Sequence, residues 1–226
     1  MGDYSGVEEL LIIEKYLKNY NHDLVLKLSE FLKNKEVLEF GAGIGTLAQI
    51  WKSQTGISPE CLEIDPNLCD VVTQRGFKCY NNLDAITKKY DGIYTSNVLE
   101  HIEDDIAALK NLNSLLNKDA IIAIYVPAFM LLYSGLDISV GHFRRYGKAE
   151  IIKKLEQTNF KIIRCRFSDS LGFFASILIR IFGYKKNPKN FYFYDKYIYP
   201  LSSLLDRLGA NIFFGKNLLI IAQKLN

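Results

Sequence analysis

The stretch GHFRRY places one of the three histidines of the chain beside two consecutive arginines and between aromatic rings. The unperturbed pKa of histidine lies close to neutral pH, so His142 is suited to act as a general base. Asp137, five residues earlier, can orient the imidazole or act in its place. Arg144 and Arg145 carry planar donor forks that match carboxylate or phosphate groups. The cluster therefore predicts proton transfer together with anion recognition.

The two arginines are not expected to have the same role. Adjacent residues of an extended loop point in opposite directions, so one of Arg144 and Arg145 is expected to face a ligand. The other is expected to pair with an acidic residue of the same domain. An alternative for the whole stretch is a structural latch, in which His142 bonds to the backbone and the arginines tie the loop to the fold.

A glycine-rich loop forms a second candidate site. The sequence EVLEFGAGIGTLAQI joins an apolar segment to a helix through Gly41, Gly43 and Gly45. Glycines let the backbone reverse tightly and approach a ligand, and the following helix begins with unpaired N–H groups. Glu63 ends the next apolar segment, 22 residues after Gly41, where a carboxylate can accept two hydrogen bonds from a ribose diol. Thr46 stands where the NAD fingerprint requires glycine, which weakens the NAD interpretation; a tight turn without a ligand is the other alternative.

A third candidate is the pair Glu100 and His101 in the context LEHI. An acid next to a base suggests acid and base catalysis. The alternative is that His101, at the start of a helix, only orders its loop.

The cysteines at positions 61, 69, 79 and 165 lack the CxxC spacing of zinc ligands. A chain of this size does not need disulfides to be stable. We therefore expect free thiols and no metal site.

The elements that must position these residues can be read from the periodicity of apolar residues. The pattern predicts strands over 36–40, 59–64, 76–80, 91–96, 120–126, 160–167 and 217–225. It predicts helices over 7–20, 23–33, 44–52, 66–75, 104–117 and 148–158. Strands that alternate with helices predict an α/β fold, with a mostly parallel sheet covered by helices on both faces.

The composition is that of one globular domain. The 226 residues are 49% hydrophobic and 23% charged, with a net charge of +3. This balance is too mild to indicate nucleic acid as a partner. The sequence has no basic start followed by an apolar core, as a signal peptide would, and no apolar run of about 20 residues. We therefore expect a cytoplasmic protein.

The segments VLEFGAGIGTLA, CLEIDPNL and DGIYTSNVLEHIEDD, in this order and spacing, resemble the successive motifs of class I S-adenosylmethionine-dependent methyltransferases. The resemblance implies a Rossmann-like sheet of seven strands, the last one antiparallel. It also implies S-adenosyl-L-methionine as cofactor and S-adenosyl-L-homocysteine as product. The chain would then be a single methyltransferase domain, residues 1–226. Its parts would be N-terminal helices (1–34), a cofactor-binding core (35–167), a helical aromatic insertion (168–216) and the final strand (217–226).

The resemblance places twelve residues at the cofactor. These are Glu39, Gly41, Ala42, Gly43, Gly45, Glu63, Ile64, Asp65, Asn82, Leu83, Asn97 and Val98. Glu39 would reach the amino group of the cofactor, Glu63 would bind the ribose hydroxyls, and Ile64 would pack on the adenine. Asp65 is the second choice for the ribose, and its alternative role is to cap the helix that starts near Pro66.

A narrower resemblance comes from VPAF, LYSGLD and GHFRRY, which follow the fifth strand, and from the closing YPLSSLLDRL and FFGKNLLIIAQK. They resemble a bacterial and archaeal branch of the class I methyltransferases that often occurs with glycosyltransferases of polysaccharide and lipid-linked sugar pathways. The branch implies O-methylation of a small-molecule or glycan-type acceptor, including a lipid-linked saccharide.

In that setting His142 would be the base, with Asp137 beside it. The acceptor would contact Tyr133, Arg144, Arg145 and Tyr146. Two further alternatives remain open. One is an S-adenosylmethionine-binding protein without catalysis that acts as a partner or regulator of a glycan assembly system. The other is a nicotinamide-dependent oxidoreductase, which Thr46 disfavours.

The aromatic insertion contains LGFFASILIRIF, followed by lysines at 185, 186 and 189. An apolar helix beside basic residues is typical of a peripheral contact with anionic lipid. Residues 171–189 would form this contact. A core or lid helix over the active site and a homodimer interface are the alternatives for the same segment.

Overall fold

The computed structural model describes residues 7–183 and 187–225. Seven strands form a single sheet. They are β1 (Val37–Phe40), β2 (Glu60–Leu62), β3 (Cys79–Tyr80), β4 (Tyr90–Ser96), β5 (Leu116–Pro127), β6 (Phe160–Ser168) and β7 (Asn217–Lys224). The α-helices of the described chain are α1 (Val7–Tyr16), α2 (Lys18–Ser29), α3 (Thr46–Thr55), α4 (Pro66–Gln74), α5 (Asp105–Ser114), α6 (Gly135–Ser139), α7 (Lys148–Gln157), α8 (Ser170–Phe182), α9 (Pro188–Phe193) and α10 (Tyr199–Arg207).

The strand order is β3-β2-β1-β4-β5-β7-β6. The pairs β1 with β2, β1 with β4, β2 with β3 and β4 with β5 are parallel, whereas β7 lies antiparallel between β5 and β6. The predicted seven-stranded, mostly parallel sheet with an antiparallel last strand is therefore confirmed. The chain order reverses between β1 and β4, so ligands are expected at the carboxyl ends of these strands.

The fifth strand differs from its predicted length. It begins at Leu116 rather than near residue 120, and α5 ends at Ser114 rather than continuing to about 117. Leu116 pairs with Tyr90 of β4 ahead of a register shift. Tertiary pairing with a neighbouring strand thus overrides the helical pattern of the local sequence.

Apolar clusters lie on both faces of the sheet. On one face α5 and α7 contribute Leu109, Leu112, Ile151 and Leu155 to a fully buried core. On the other face α2 packs with α3, and Trp51 stacks on Tyr94 of β4 with ring centroids 4.2 Å apart. Because helices pack on both faces of the sheet, the strands are fixed, and so are the residues at their carboxyl ends.

The segment 168–216 packs onto the sheet through buried acids. Asp195, in a π-helical turn over Tyr194–Ile198, accepts hydrogen bonds from the amides of Asn19 and Tyr20 at 3.0 and 2.8 Å. Asp206 accepts the amide of Asp169 at 2.7 Å. These bonds connect the two sides of the helical insertion to the N-terminal helices and to the end of β6. Lys185 and Lys186 of the expected lipid contact lie outside the described residues.

None of the helices within residues 7–183 and 187–225 combines the length and the apolar character needed to cross a bilayer.

Candidate active site

The glycine loop lies at the carboxyl end of β1. Gly41, Gly43 and Gly45 all have positive φ, at 76°, 55° and 79°. A Cβ atom on Gly41 would lie 2.8 Å from Cγ1 of Val98, which follows β4. The loop therefore passes against the end of β4 at a distance that only glycine allows, in a backbone conformation that glycine adopts without strain.

Glu63, directly after β2, is bound to the glycine loop. Its Oε2 atom accepts the amide of Gly43 at 2.8 Å, and its Oε1 atom accepts the amide of Asp65 at 3.1 Å. The side chain is buried, and this burial raises the pKa of its carboxyl. Each carboxylate oxygen has two acceptor sites, so both oxygens keep capacity for one ribose hydroxyl each. The residues present at this edge therefore fit a ribose.

Asp65 has a different set of contacts. Its side chain accepts the amides of Asn67 and Leu68 at 2.8 and 3.4 Å and so caps the N-terminus of α4. This is the capping role that the sequence offered as the alternative. A part for Asp65 in ribose binding stays a prediction.

Glu39 of β1 lies beneath the loop and is buried. Tyr94 donates its hydroxyl to Oε2 of Glu39 at 2.9 Å. Burial raises the pKa of Glu39 to about 8, against the opposing effect of the Tyr94 hydrogen bond. The carboxyl therefore holds a proton at neutral pH, and a cationic group placed beside it would favour its ionisation.

The other residues predicted for the cofactor lie at the ends of β1, β2, β3 and β4. Ile64 is 77% exposed, which leaves a large apolar surface available for an aromatic ring. Asn82 accepts the amide of Ala85 at 2.8 Å and so caps a short 3-10 turn that begins at Leu83. Asn97 has φ of 53°, and its amide donates to the carbonyl of Tyr125 at 2.8 Å. Ala42 donates its amide to Leu62 at 3.2 Å.

The loop after β5 carries the histidine cluster. Asp137, fully buried in α6, accepts Nδ1 of His142 at 2.8 Å. It also accepts Nε and Nη2 of Arg145 at 2.8 and 3.0 Å. Burial alone would raise the pKa of Asp137, but the hydrogen bonds from His142 and Arg145 outweigh it and lower the pKa to about 2. An ionised Asp137 requires a proton on Nδ1, so Nε2 of a neutral His142 carries the acceptor lone pair.

The second arginine is also paired within the chain. Arg144 contacts Asp105 through Nη1 at 2.9 Å and donates from Nη2 to the carbonyl of Glu103 at 2.7 Å. Tyr146 is buried and donates its hydroxyl to Asp105 at 2.9 Å. Tyr133 donates its hydroxyl to the carbonyl of His142 at 2.7 Å. These contacts have the geometry of the latch, and the part of the four side chains in acceptor binding stays a prediction.

Sequence reasoning did not connect Glu100 with His142. Glu100 is fully buried, and neither of its carboxylate oxygens has a hydrogen-bond partner. Oε1 of Glu100 lies 3.8 Å from Nε2 of His142, and the ring of His101 meets that of His142 edge to face with centroids 4.6 Å apart. Burial raises the pKa of Glu100 to about 8, and burial with His142 nearby lowers the pKa of His101 to about 4. The sequence shows Glu100 and His101 as a polar pair in LEHI. The third residue of the cluster, His142, is more than 40 residues further along the chain, so local sequence does not reveal it.

Comparison with known proteins places this site in a family. Residues 13–164 match the family described as "Methyltransferase domain". No curated protein matches the chain.

Solved structures share the fold. The 1,6-didemethyltoxoflavin-N1-methyltransferase of Burkholderia thailandensis, solved with 1,6-didemethyltoxoflavin and S-adenosylhomocysteine, is 15% identical, with a TM-score of 0.62 over 98% of this chain and 85% of that one. A SAM-dependent methyltransferase from Archaeoglobus fulgidus is 18% identical, with a TM-score of 0.58 over 96% of this chain and 99% of that one. A putative sarcosine dimethylglycine methyltransferase from Galdieria sulphuraria is 14% identical, with a TM-score of 0.59 over 91% and 86% of the two chains.

At these identities the solved structures establish the shared fold, whereas the family match covers most of the chain and includes the glycine loop, Glu63 and the histidine cluster. The chain belongs to the methyltransferase domain family and is an enzyme of that family.

Proposed function

We propose that the protein transfers the methyl group of S-adenosylmethionine to a hydroxyl of a small-molecule or glycan-type acceptor. The observation that carries this proposal is the Asp137–His142 pair on the loop after β5. An ionised aspartate holds Nδ1 and leaves Nε2 as the acceptor, which is the arrangement that a hydroxyl nucleophile needs.

The proposed reaction is a direct displacement at the methyl carbon. The acceptor oxygen forms a bond to the methyl carbon, and the carbon–sulfur bond breaks with its electron pair going to sulfur. The sulfonium becomes the neutral thioether S-adenosylhomocysteine, and the hydroxyl proton passes to Nε2 of His142. The enzyme must place the oxygen about 3 Å from the methyl carbon and keep water out.

Cofactor binding is proposed at the edge formed by the ends of β1, β2 and β4. Glu63 binds the ribose diol, the glycine loop lies along the methionyl part, and Ile64 packs on the adenine. The support for this assignment is the unused acceptor capacity of Glu63, the close approach of Gly41 to Val98 and the exposed face of Ile64.

Glu63→Ala is expected to weaken S-adenosylhomocysteine binding by about 10- to 150-fold, because two hydrogen bonds to a charged acceptor are lost. Isothermal titration calorimetry measures the change. Asp65→Ala tests the second choice for the ribose: if Asp65 only caps α4, the change should cost about 1 kcal/mol of stability and leave the affinity unchanged. An unchanged affinity in Glu63→Ala, or equal losses in both variants, would contradict the ribose assignment.

Cofactor binding at neutral pH is expected to release a proton from Glu39. The pKa of Glu39 is raised to about 8, so this carboxyl is mostly protonated at pH 7. The ammonium of the methionyl group favours the carboxylate and lowers that pKa, and the proton leaves at pH values between the two pKa values. Calorimetry at pH 7 in two buffers of different ionisation enthalpy detects the release.

Glu39→Gln is the control for this measurement, since an amide cannot release the proton. The buffer dependence of the binding heat should disappear in that variant. A binding heat that is the same in both buffers for the unmodified protein would show that Glu39 does not face the ammonium.

The acceptor class is tested without choosing a substrate in advance. The protein is incubated with methyl-labelled S-adenosylmethionine and a cell-envelope extract, and the labelled product is identified by mass spectrometry. A methyl ether on a saccharide or another small molecule supports the proposal. A methylated nitrogen, as in the toxoflavin relative, would contradict the hydroxyl assignment, and turnover of no component would favour the non-catalytic binding protein.

A lipid-linked acceptor would be reached through α8. Phe174, Leu178, Ile181 and Phe182 are exposed along this helix at the spacing of one face, and Arg180 lies in its last turn. An apolar face with basic residues suits anionic lipid. Sedimentation with anionic phospholipid vesicles measures this contact, and failure to pellet would favour the lid or homodimer alternatives.

A further inference from the structure

The carboxyl group of Glu100 lies in the short 3-10 turn that follows β4. It is fully inaccessible to solvent, and both of its oxygens lack a hydrogen-bond partner. Buried polar groups nearly always have a partner in the protein, in ordered water or in an ion, so each exception requires an explanation. The other buried side-chain atoms of the described chain without partners are single atoms of Trp51, Gln54 and Arg145.

Two imidazoles lie next to this carboxyl. Nε2 of His142 is 3.8 Å from Oε1 of Glu100, which is too far for a hydrogen bond and too close for an intervening side chain. One ligand atom each from Glu100, His101 and His142 can be chosen so that all lie within 4.8 Å of one another. Two imidazole nitrogens and one carboxylate oxygen form a known ligand set for divalent first-row transition metals.

The surroundings of His142 match those of a metal ligand. Its Nδ1 atom is held by Asp137 at 2.8 Å, and Asp137 is itself fixed by Arg145. A carboxylate on the far nitrogen of a ligating histidine fixes the tautomer and the ring orientation. The charges also fit, because Asp137 balances Arg145, so a Glu100 carboxyl that gives up its proton to the cation supplies one negative charge.

We propose that Glu100, His101 and His142 bind one divalent transition-metal ion on the acceptor side of the active site. Metal bonds of about 2.1 Å allow ligand atoms at most about 4.2 Å apart, so the three side chains must move inward by roughly half an ångström. The side chain of His142 is 14% exposed and His101 is half-buried, which gives the ion and an acceptor a path from solvent.

This inference rests on the proposed function only for the position of the acceptor, and it changes how His142 acts. Glu100, His101 and His142 would hold the cation, which would act on the acceptor hydroxyl as a Lewis acid and would undergo no redox change. The hydroxyl proton would then pass to water rather than to His142, and the electron pair of the broken carbon–sulfur bond would go to sulfur. A protonated Glu100 bridged to His142 by water, with no metal, is the alternative that the experiment must separate.

The experiment is a Co²⁺ titration of the full chain after removal of metal with a chelator and dialysis. The visible ligand-field absorption of bound Co²⁺ reports its ligands directly. We expect one saturable Co²⁺ per chain, displaced by Zn²⁺. Glu100→Gln and His142→Gln should each weaken binding at least about 100-fold. Asp137→Asn should weaken it about 10- to 100-fold, as loss of a partner behind a metal ligand does.

His22→Gln is the matched control, because His22 is the remaining histidine of the chain and lies exposed on α2. Its Co²⁺ absorption should equal that of the unmodified protein. Thermal unfolding and S-adenosylhomocysteine binding verify that each variant is folded. Glu100→Gln is close in shape to the native residue, so at least one variant remains interpretable if a histidine variant unfolds.

Absence of saturable absorption in the unmodified protein, or equal absorption in Glu100→Gln, would overturn the proposal and favour the bridging water. The readout needs neither cofactor nor acceptor. Failure of methyl transfer in the labelled extract is therefore seen in a separate assay, and the failures of the two proposals remain distinguishable.

Discussion

His142→Ala is expected to lower kcat by about 100- to 10,000-fold while leaving the affinity for S-adenosylhomocysteine unchanged. His142 lies on the loop after β5, where its side chain bonds to Asp137 and faces Glu100. The residues proposed for the cofactor lie on other loops, at the ends of β1, β2 and β4. Loss of the imidazole therefore removes the activation of the acceptor without touching the proposed ribose and adenine contacts.

Two controls make this result specific. His22→Ala removes an exposed histidine of α2 and should leave kcat unchanged. Asp137→Asn keeps the size of the side chain but removes the charge that fixes the tautomer of His142, so it should lower kcat in the same direction. A kcat within a few-fold of the unmodified protein in His142→Ala would show that the imidazole activates nothing, whether as a base or as a metal ligand.

The fold was largely predictable because the spacing of apolar residues distinguishes strands from helices. A short apolar strand followed by an amphipathic helix recurs along the first half of the chain, and this alternation leaves few topologies. The boundary between α5 and β5 was not predictable, since Leu116 joins the sheet by pairing with Tyr90. A pairing between distant residues leaves no mark in the local pattern.

The candidate site also contains residues that the sequence predicts and contacts that it does not. Gly41 and Glu63 were accessible to sequence reasoning because each stands at the end of an apolar strand, and parallel strands end at one edge. The approach of Glu100 to His142 depends on how the loop after β5 folds back over the end of β4, where the amide of Phe143 donates to the carbonyl of Glu100 at 2.8 Å. No local property of LEHI or of GHFRRY encodes that contact.

The expectation that adjacent residues of an extended loop point in opposite directions did not predict the partners of both arginines. It predicted that one arginine of GHFRRY would pair with an acid, whereas both do: Arg145 with Asp137 and Arg144 with Asp105. Tyr146 forms an isolated parallel bridge with Ala128, so the stretch is anchored beside the end of β5. Two acids on different elements, Asp137 of α6 and Asp105 of α5, lie within reach of the two neighbouring arginines.

The two arginines of GHFRRY are expected to differ in how much they stabilise the fold. Arg145→Ala is expected to lower the free energy of unfolding by about 3–5 kcal/mol, the cost of leaving one partner of a buried ion pair uncompensated. Asp137 would keep its negative charge in a fully buried position with only His142 and the turn around Ser134 as donors. Chemical denaturation followed by circular dichroism measures the loss.

Arg144→Ala is the matched control, one residue away and with the same chemistry. Its side chain is 20% exposed, and Asp105 keeps Lys154 at 2.6 Å and the hydroxyl of Tyr146 at 2.9 Å after the change. Its stability loss should therefore be about 1 kcal/mol or less. Equal losses would contradict the buried-pair argument. A variant of Arg145 that keeps its stability but raises KM for the acceptor would assign that guanidinium to substrate rather than to the latch, because only a ligand contact changes KM without changing the folding equilibrium.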